Sequence, residues 1–173
     1  VLQSLKDFVA RVTDETGSDF VPADERVAVF DLDGTLLCET APTYFEWLLY
    51  LHRVLEDESY LPSAEARDYA LQVREAVKNK SIPAEMDWGE AWAQNAAFVG
   101  MTLDVGAFSR TAVEGYNGML WGEAFYLPMV EVVSYLAVND FKTYIVSGSE
   151  RQLLRVLANG VLQVENNHII GSD

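Results

Sequence analysis

Two aspartates one residue apart, Asp31-Leu32-Asp33, close an apolar run and open into Gly34-Thr35-Leu36. Carboxylates this near to one another repel, and burying them together is costly unless something neutralises them. A divalent cation would do so, and magnesium prefers carboxylate, carbonyl and water oxygens. Asp31 and Asp33 are therefore candidate ligands for Mg2+. Gly34 can adopt a backbone angle closed to most residues and lets main-chain amides approach an anion. An isolated Asp-x-Asp is more often an ordinary acidic turn. The six-residue run after an apolar strand makes the reading specific.

The elements that must position these groups follow from periodicity. Val27-Ala28-Val29-Phe30 is a short apolar run and predicts a strand buried on both faces, as in a parallel sheet. Before it, Leu2, Leu5, Phe8, Val9 and Val12 recur at helical spacing. After Pro128 the pattern predicts a helix over Met129–Val138 with Val132, Val133 and Leu136 inward, then an Asn139-Asp140 turn. Tyr144-Ile145-Val146 is a second buried strand, ending in Ser147-Gly148-Ser149. A helix over Glu150–Ala158, a stop at Asn159-Gly160 and a third strand at His168-Ile169-Ile170 complete the series. Strand, helix, strand, helix, strand indicates an α/β doubly wound sheet. Ligands bind such sheets beyond the carboxyl ends of the strands, where Asp31 and Ser147 both fall.

More than a hundred residues separate Thr35 from Ser147, far too many for an ordinary crossover. Helical spacing predicts one helix over Thr43–Glu56 and another, capped by Ser63, running to about Lys80. A third starts between Pro83 and Gly89 and carries Trp88, Trp92 and Phe98. A fourth is capped by Thr102. Trp47, Trp88, Trp92 and Trp121 in this stretch are expected to be packing residues.

Half of the 173 residues are hydrophobic, and the net charge is −15. That balance suits a globular core and opposes binding to nucleic acid or an anionic membrane surface. The single cysteine, Cys38, excludes a disulfide framework and a cysteine-based metal cluster. No apolar run is long enough to span a membrane. The compartment stays open, since a signal peptide removed upstream of Val1 would leave no trace.

Val29-Phe30-Asp31-Leu32-Asp33-Gly34-Thr35-Leu36 resembles the first motif of the haloacid dehalogenase-like superfamily. Val146-Ser147-Gly148-Ser149 resembles its second. The pairing is most similar to the phosphoserine phosphatase-like and acid phosphatase-like branch, with Ile169-Ile170-Gly171-Ser172 adding to the likeness. Ser149 is a mild departure, because that branch often has a second glycine there. The resemblance implies a Rossmann-like core built from residues 1–40 and 127–173, with residues 41–126 inserted as an α-helical cap that closes over the site. It implies a phosphatase acting on a small phosphorylated substrate. Asp31 would be the nucleophile that becomes an aspartyl-phosphate. Asp33 would be the general acid and then the base. Asp31 and the main-chain carbonyl of Asp33 would hold Mg2+. Gly34, Thr35, Ser147 and Gly148 would bind substrate, with Ser147 and the Gly148 amide on the transferring phosphoryl group.

Two further parts of the family's site, a lysine and one or two more acids, should follow the third strand. The sequence ends at Asp173, and Lys142 lies in the wrong place to serve. A fragment of a longer protein is therefore expected. A phosphotransferase or phosphomutase sharing Asp31 and Asp33, or a non-catalytic binding module, are the alternatives. His52 and His168 lack nearby partner ligands and read as structural. Cys38 reads as a packing residue, and Glu39 as a residue touching substrate or solvent.

Overall fold

The computed structural model describes residues 2–38, 45–79, 81, 119–159 and 161–172. The elements are α1 (Leu2–Thr13), β1 (Val27–Phe30), α2 (Phe45–Leu55), α3 (Ala64–Lys78), α4 (Leu127–Ala137), β2 (Lys142–Glu150), α5 (Arg151–Ala158) and β3 (Ile169–Ser172). The third and fourth helices expected before residue 119 lie outside the described residues, as do Trp88, Trp92 and Glu39.

The chain divides into two compact units, Val1–Cys38 with Trp121–Asp173, and Glu39–Leu120. The second joint falls several residues before the expected boundary at Tyr126. The reason is backbone pairing. Leu37 bridges Phe125 in antiparallel fashion. The Cys38 N–H donates to the Ala124 carbonyl at 2.8 Å, and the Tyr126 N–H donates to the Leu36 carbonyl at 2.9 Å. Residues 124–126 therefore belong with the turn that follows β1.

In the first unit the sheet is open, three-stranded and parallel, in the order β1-β2-β3. This is an incomplete Rossmann-like α/β fold. Register pairs Val27 with Lys142 and Phe30 with Ile145, then Ile145 with Ile169. Right-handed crossovers between neighbours in this order send α4 and α5 to the same face. On it lie Thr143, Ile145 and Ile169, all buried, with Val133 and Leu136 of α4 and Leu153, Leu154, Leu157 and Ala158 of α5.

The other face is open, which corrects the expectation for β1. Val27 is 52% exposed and Val29 61%, and Val146 and Ile170 on the same face are also exposed. The apolar run identified the strand, but only one face of it is covered. α1 similarly buries only its C-terminal half, through Val9 and Val12, while Leu2 and Phe8 stay exposed. Arg26, itself buried, ties this end together: its Nε donates to the Val21 carbonyl at 2.8 Å and its Nη1 to the Asn139 carbonyl at 3.2 Å. Asp140 takes a left-handed φ of 62° in the turn before β2, a conformation that Asp tolerates better than most residues.

The second unit has its own core. Trp47, Tyr50, Leu51 and Val54 of α2 pack with Ala70 and Val73 of α3, flanked by Tyr60, Tyr69 and Val77. Ser63 caps α3 by accepting from the Ala66 N–H at 3.1 Å. The Tyr50 hydroxyl donates to the Ala66 carbonyl at 2.9 Å. Arg53 pairs with Asp57 and lies over the Tyr60 ring at 4.4 Å.

Candidate active site at the ends of the first two strands

The turn after β1 is built around three leucines. Leu32, Leu36 and Leu37 are fully buried. The Leu32 carbonyl accepts from the N–H groups of Thr35, Leu36 and Leu37 at 3.1, 2.8 and 2.9 Å. Gly34 sits at φ 70° and its N–H donates to the Leu37 carbonyl at 2.9 Å. A side chain at Gly34 would strain this turn. Burying the leucines leaves the aspartates between them at the rim, with Asp31 exposed and Asp33 half-buried. Asp31 is thus exposed to solvent, and only Asp33 is partly withdrawn from it. The Gly34 and Thr35 amides both donate within the turn.

The end of β2 supplies the opposing wall. Register with β3 is interrupted between Val146 and Glu150, so Ser147, Gly148 and Ser149 leave the regular ladder. The Ser149 hydroxyl donates to Asp33 Oδ2 at 3.0 Å, and the Ser147 hydroxyl reaches the same oxygen at 3.4 Å. The Ser149 N–H donates to Ser147 Oγ at 3.2 Å. A Cβ at Gly148 would meet nothing within 4 Å, so there is open space beside this backbone. Glu150 then starts α5 by accepting from the Leu153 N–H at 2.9 Å.

β3 clamps this segment. The Ser172 hydroxyl donates to the Gly148 carbonyl at 2.7 Å. Gly171 lies so close that a Cβ there would meet the Ser149 carbonyl oxygen at 2.6 Å and Arg151 Cα at 2.7 Å. Sequence reasoning singled out neither Ser149 as a partner of Asp33 nor Gly171 as a spacer. Both depend on strands distant in sequence coming together. A glycine within a strand is nevertheless a signal of close backbone approach.

Asp31, Asp33, Gly34 and Thr35 lie on the segment that leaves the carboxyl end of β1, and Ser147 and Gly148 in the carboxyl-end portion of β2. The remaining candidates do not join them. Lys142, at the start of β2, donates to the Asp24 carbonyl at 3.0 Å. The His168 ring stacks on Tyr144 at 4.3 Å, and His52 pairs with Glu56 at 3.1 Å. Cys38 is half-buried.

Among the described residues no group of three or more His, Cys, Asp or Glu side chains gathers to hold a metal. The donor chemistry of the Asp31–Asp33 segment still suits Mg2+, which needs only one or two carboxylates when phosphate and water oxygens complete its shell. The exposed Asp31 carboxylate can serve that purpose, whereas Asp33 Oδ2 is occupied by serine hydroxyls. Among the described residues no helix is long and apolar enough to cross a membrane.

The acid pair beyond β1 and the serine-glycine segment in the carboxyl-end portion of β2 thus meet on one parallel α/β sheet. The family model for haloacid dehalogenase-like hydrolases matches residues 28–173, and the chain belongs to that family. No curated protein matches the sequence significantly.

Proposed function

We propose that the protein is a Mg2+-dependent phosphomonoester hydrolase that works through an aspartyl-phosphate on Asp31. The observation that carries this reading is the meeting of Asp33 with Ser149 and Ser147 at 3.0 and 3.4 Å, which joins the two sequence motifs in one place. Asp31 is exposed to a reactant, while Asp33 is half-buried and hydrogen-bonded. Different surroundings allow two carboxylates to take different roles.

In the first step an Asp31 carboxylate oxygen attacks phosphorus and the ester P–O bond breaks. The departing oxygen takes its proton from Asp33. In the second step Asp33 removes a proton from water, the water oxygen attacks phosphorus, and the Asp31–phosphorus bond breaks to release inorganic phosphate. Ser147 and the Gly148 amide hold the phosphoryl oxygens, and the open space at Gly148 admits them. Asp31 and the Asp33 carbonyl would hold Mg2+, which would supply positive charge for a substrate that otherwise meets a chain of net charge −15. Substrate selectivity is assigned to the inserted Glu39–Leu120 unit, because acids and phosphate donors alone cannot tell one ester from another.

The test uses the full-length protein and a panel of phosphate esters. Asp31→Asn should abolish turnover. Asp33→Asn should lower kcat by about 10²–10⁴-fold for alkyl esters, the usual worth of general acid–base catalysis. The loss should shrink for nitrophenyl phosphate, whose leaving group needs little protonation. Near-normal turnover by Asp31→Asn would refute the assignment.

A further inference from the structure

We propose that Ser149 is a positioning residue for Asp33: its hydroxyl, fixed by the clamped end of β2, holds the Asp33 carboxylate in the orientation that proton transfer requires. The proposal rests on the acid–base reading of Asp33 given above.

Three observations support it. Ser149 is 9% exposed, and its hydroxyl makes the shorter of the two serine contacts to Asp33 Oδ2, 3.0 against 3.4 Å. Its main chain is restrained on both sides. The Ser149 N–H is bound to Ser147 Oγ at 3.2 Å, and the neighbouring Gly148 carbonyl accepts from Ser172 at 2.7 Å. Gly171, with no side chain, lets β3 lie directly against the Ser149 carbonyl. A hydroxyl on a restrained backbone is a better anchor than one on a free loop, because less rotational freedom is lost when the bond forms.

The two serines thereby divide their work. Ser147 is half-buried and makes the longer contact to Asp33, so its hydroxyl can turn to a phosphoryl oxygen. When it does, the 3.4 Å contact to Asp33 is given up. Ser149 keeps its contact to Asp33 throughout. A glycine at this position would remove the shorter of the two serine contacts to Asp33.

The experiment compares Ser149→Ala, Ser149→Gly, Ser149→Thr and Asp33→Asn in the full-length protein, with kcat and KM measured for alkyl phosphates and nitrophenyl phosphate. Removing the hydroxyl should lower kcat for alkyl phosphates by about 10–100-fold, as expected for a misplaced catalytic group. KM should move less than about twofold, since the phosphoryl donors are untouched. The loss should be several-fold smaller for nitrophenyl phosphate, and Ser149→Thr should recover most of it. Ser149→Gly provides the same comparison if Ser149→Ala folds poorly. An equal loss across all esters, or no recovery by Thr, overturns the positioning role while Asp33→Asn still shows its leaving-group pattern. If Asp33→Asn shows no such pattern, the acid–base reading and the proposal fail together.

Discussion

Gly171→Ala tests whether β3 sets the geometry of the serine turn. The new Cβ would lie 2.6 Å from Leu154 Cδ1, 2.6 Å from the Ser149 carbonyl oxygen and 2.7 Å from Arg151 Cα. Real Cβ atoms essentially never come within 3.0 Å of such neighbours. Leu154 is fully buried, so its rotation is resisted by the surrounding core. The other two contacts are main chain and cannot rotate away. Overpacking of this kind costs roughly 1–3 kcal/mol, and two backbone contacts argue for the upper half, about 2–3 kcal/mol. For a chain of this length that corresponds to a fall in Tm of about 4–12 °C. Gly148→Ala is the control, because its Cβ would enter open space and should change stability by less than about 0.5 kcal/mol. Denaturant unfolding of the three proteins, monitored by circular dichroism, provides the comparison. If Gly171→Ala is as stable as Gly148→Ala, the close approach of β3 is not what shapes this turn.

Thr143 is buried in the sheet with a hydroxyl that has no hydrogen-bond partner among the described residues; Thr143→Val should raise stability by about 1 kcal/mol in chemical denaturation, and a fall of that size would show that the hydroxyl is satisfied. Burial, with Tyr69 and Tyr60 adding, pushes the Tyr50 hydroxyl up to about 12 from 10.0. Folding thus favours the protonated phenol, a contribution complete below about pH 10 and lost as pH rises towards 12. Unfolding curves between pH 9 and 12 should show it, and Tyr50→Phe should remove that slope while losing about 1 kcal/mol from the missing bond to Ala66; identical pH slopes would contradict it. Replacing residues 39–120 by a short Gly-Ser linker in the full-length protein should preserve cleavage of small activated esters and flatten the ranking of kcat/KM among natural ones. A folded deletion variant with an unchanged ranking would place selectivity in the α/β unit.

The sequence made the strands and their carboxyl ends legible because apolar runs and turn residues are local signals. Leu32, Leu36 and Leu37 show how far that goes: their burial and the φ of Gly34 both follow from the motif itself. What it left out is non-local. Val27 and Val29 look like core residues in isolation, yet crossover handedness puts both packed helices on the opposite face. Ser149 reads as a small departure until β2 is set beside β1, when its hydroxyl meets Asp33. The second joint shifted for the same reason, since Phe125 pairs with Leu37 across the whole insertion.

The most direct test of the central claim is to stop the full-length protein during turnover of a phosphate ester with Mg2+ present, reduce it with borohydride and map the products by mass spectrometry. Reduction converts a phosphorylated aspartate into homoserine. The account predicts homoserine at residue 31, none at residue 33, and none at either without substrate. Modification of any other residue, or rapid turnover under conditions that should accumulate the intermediate with Asp31 unmodified, would contradict it.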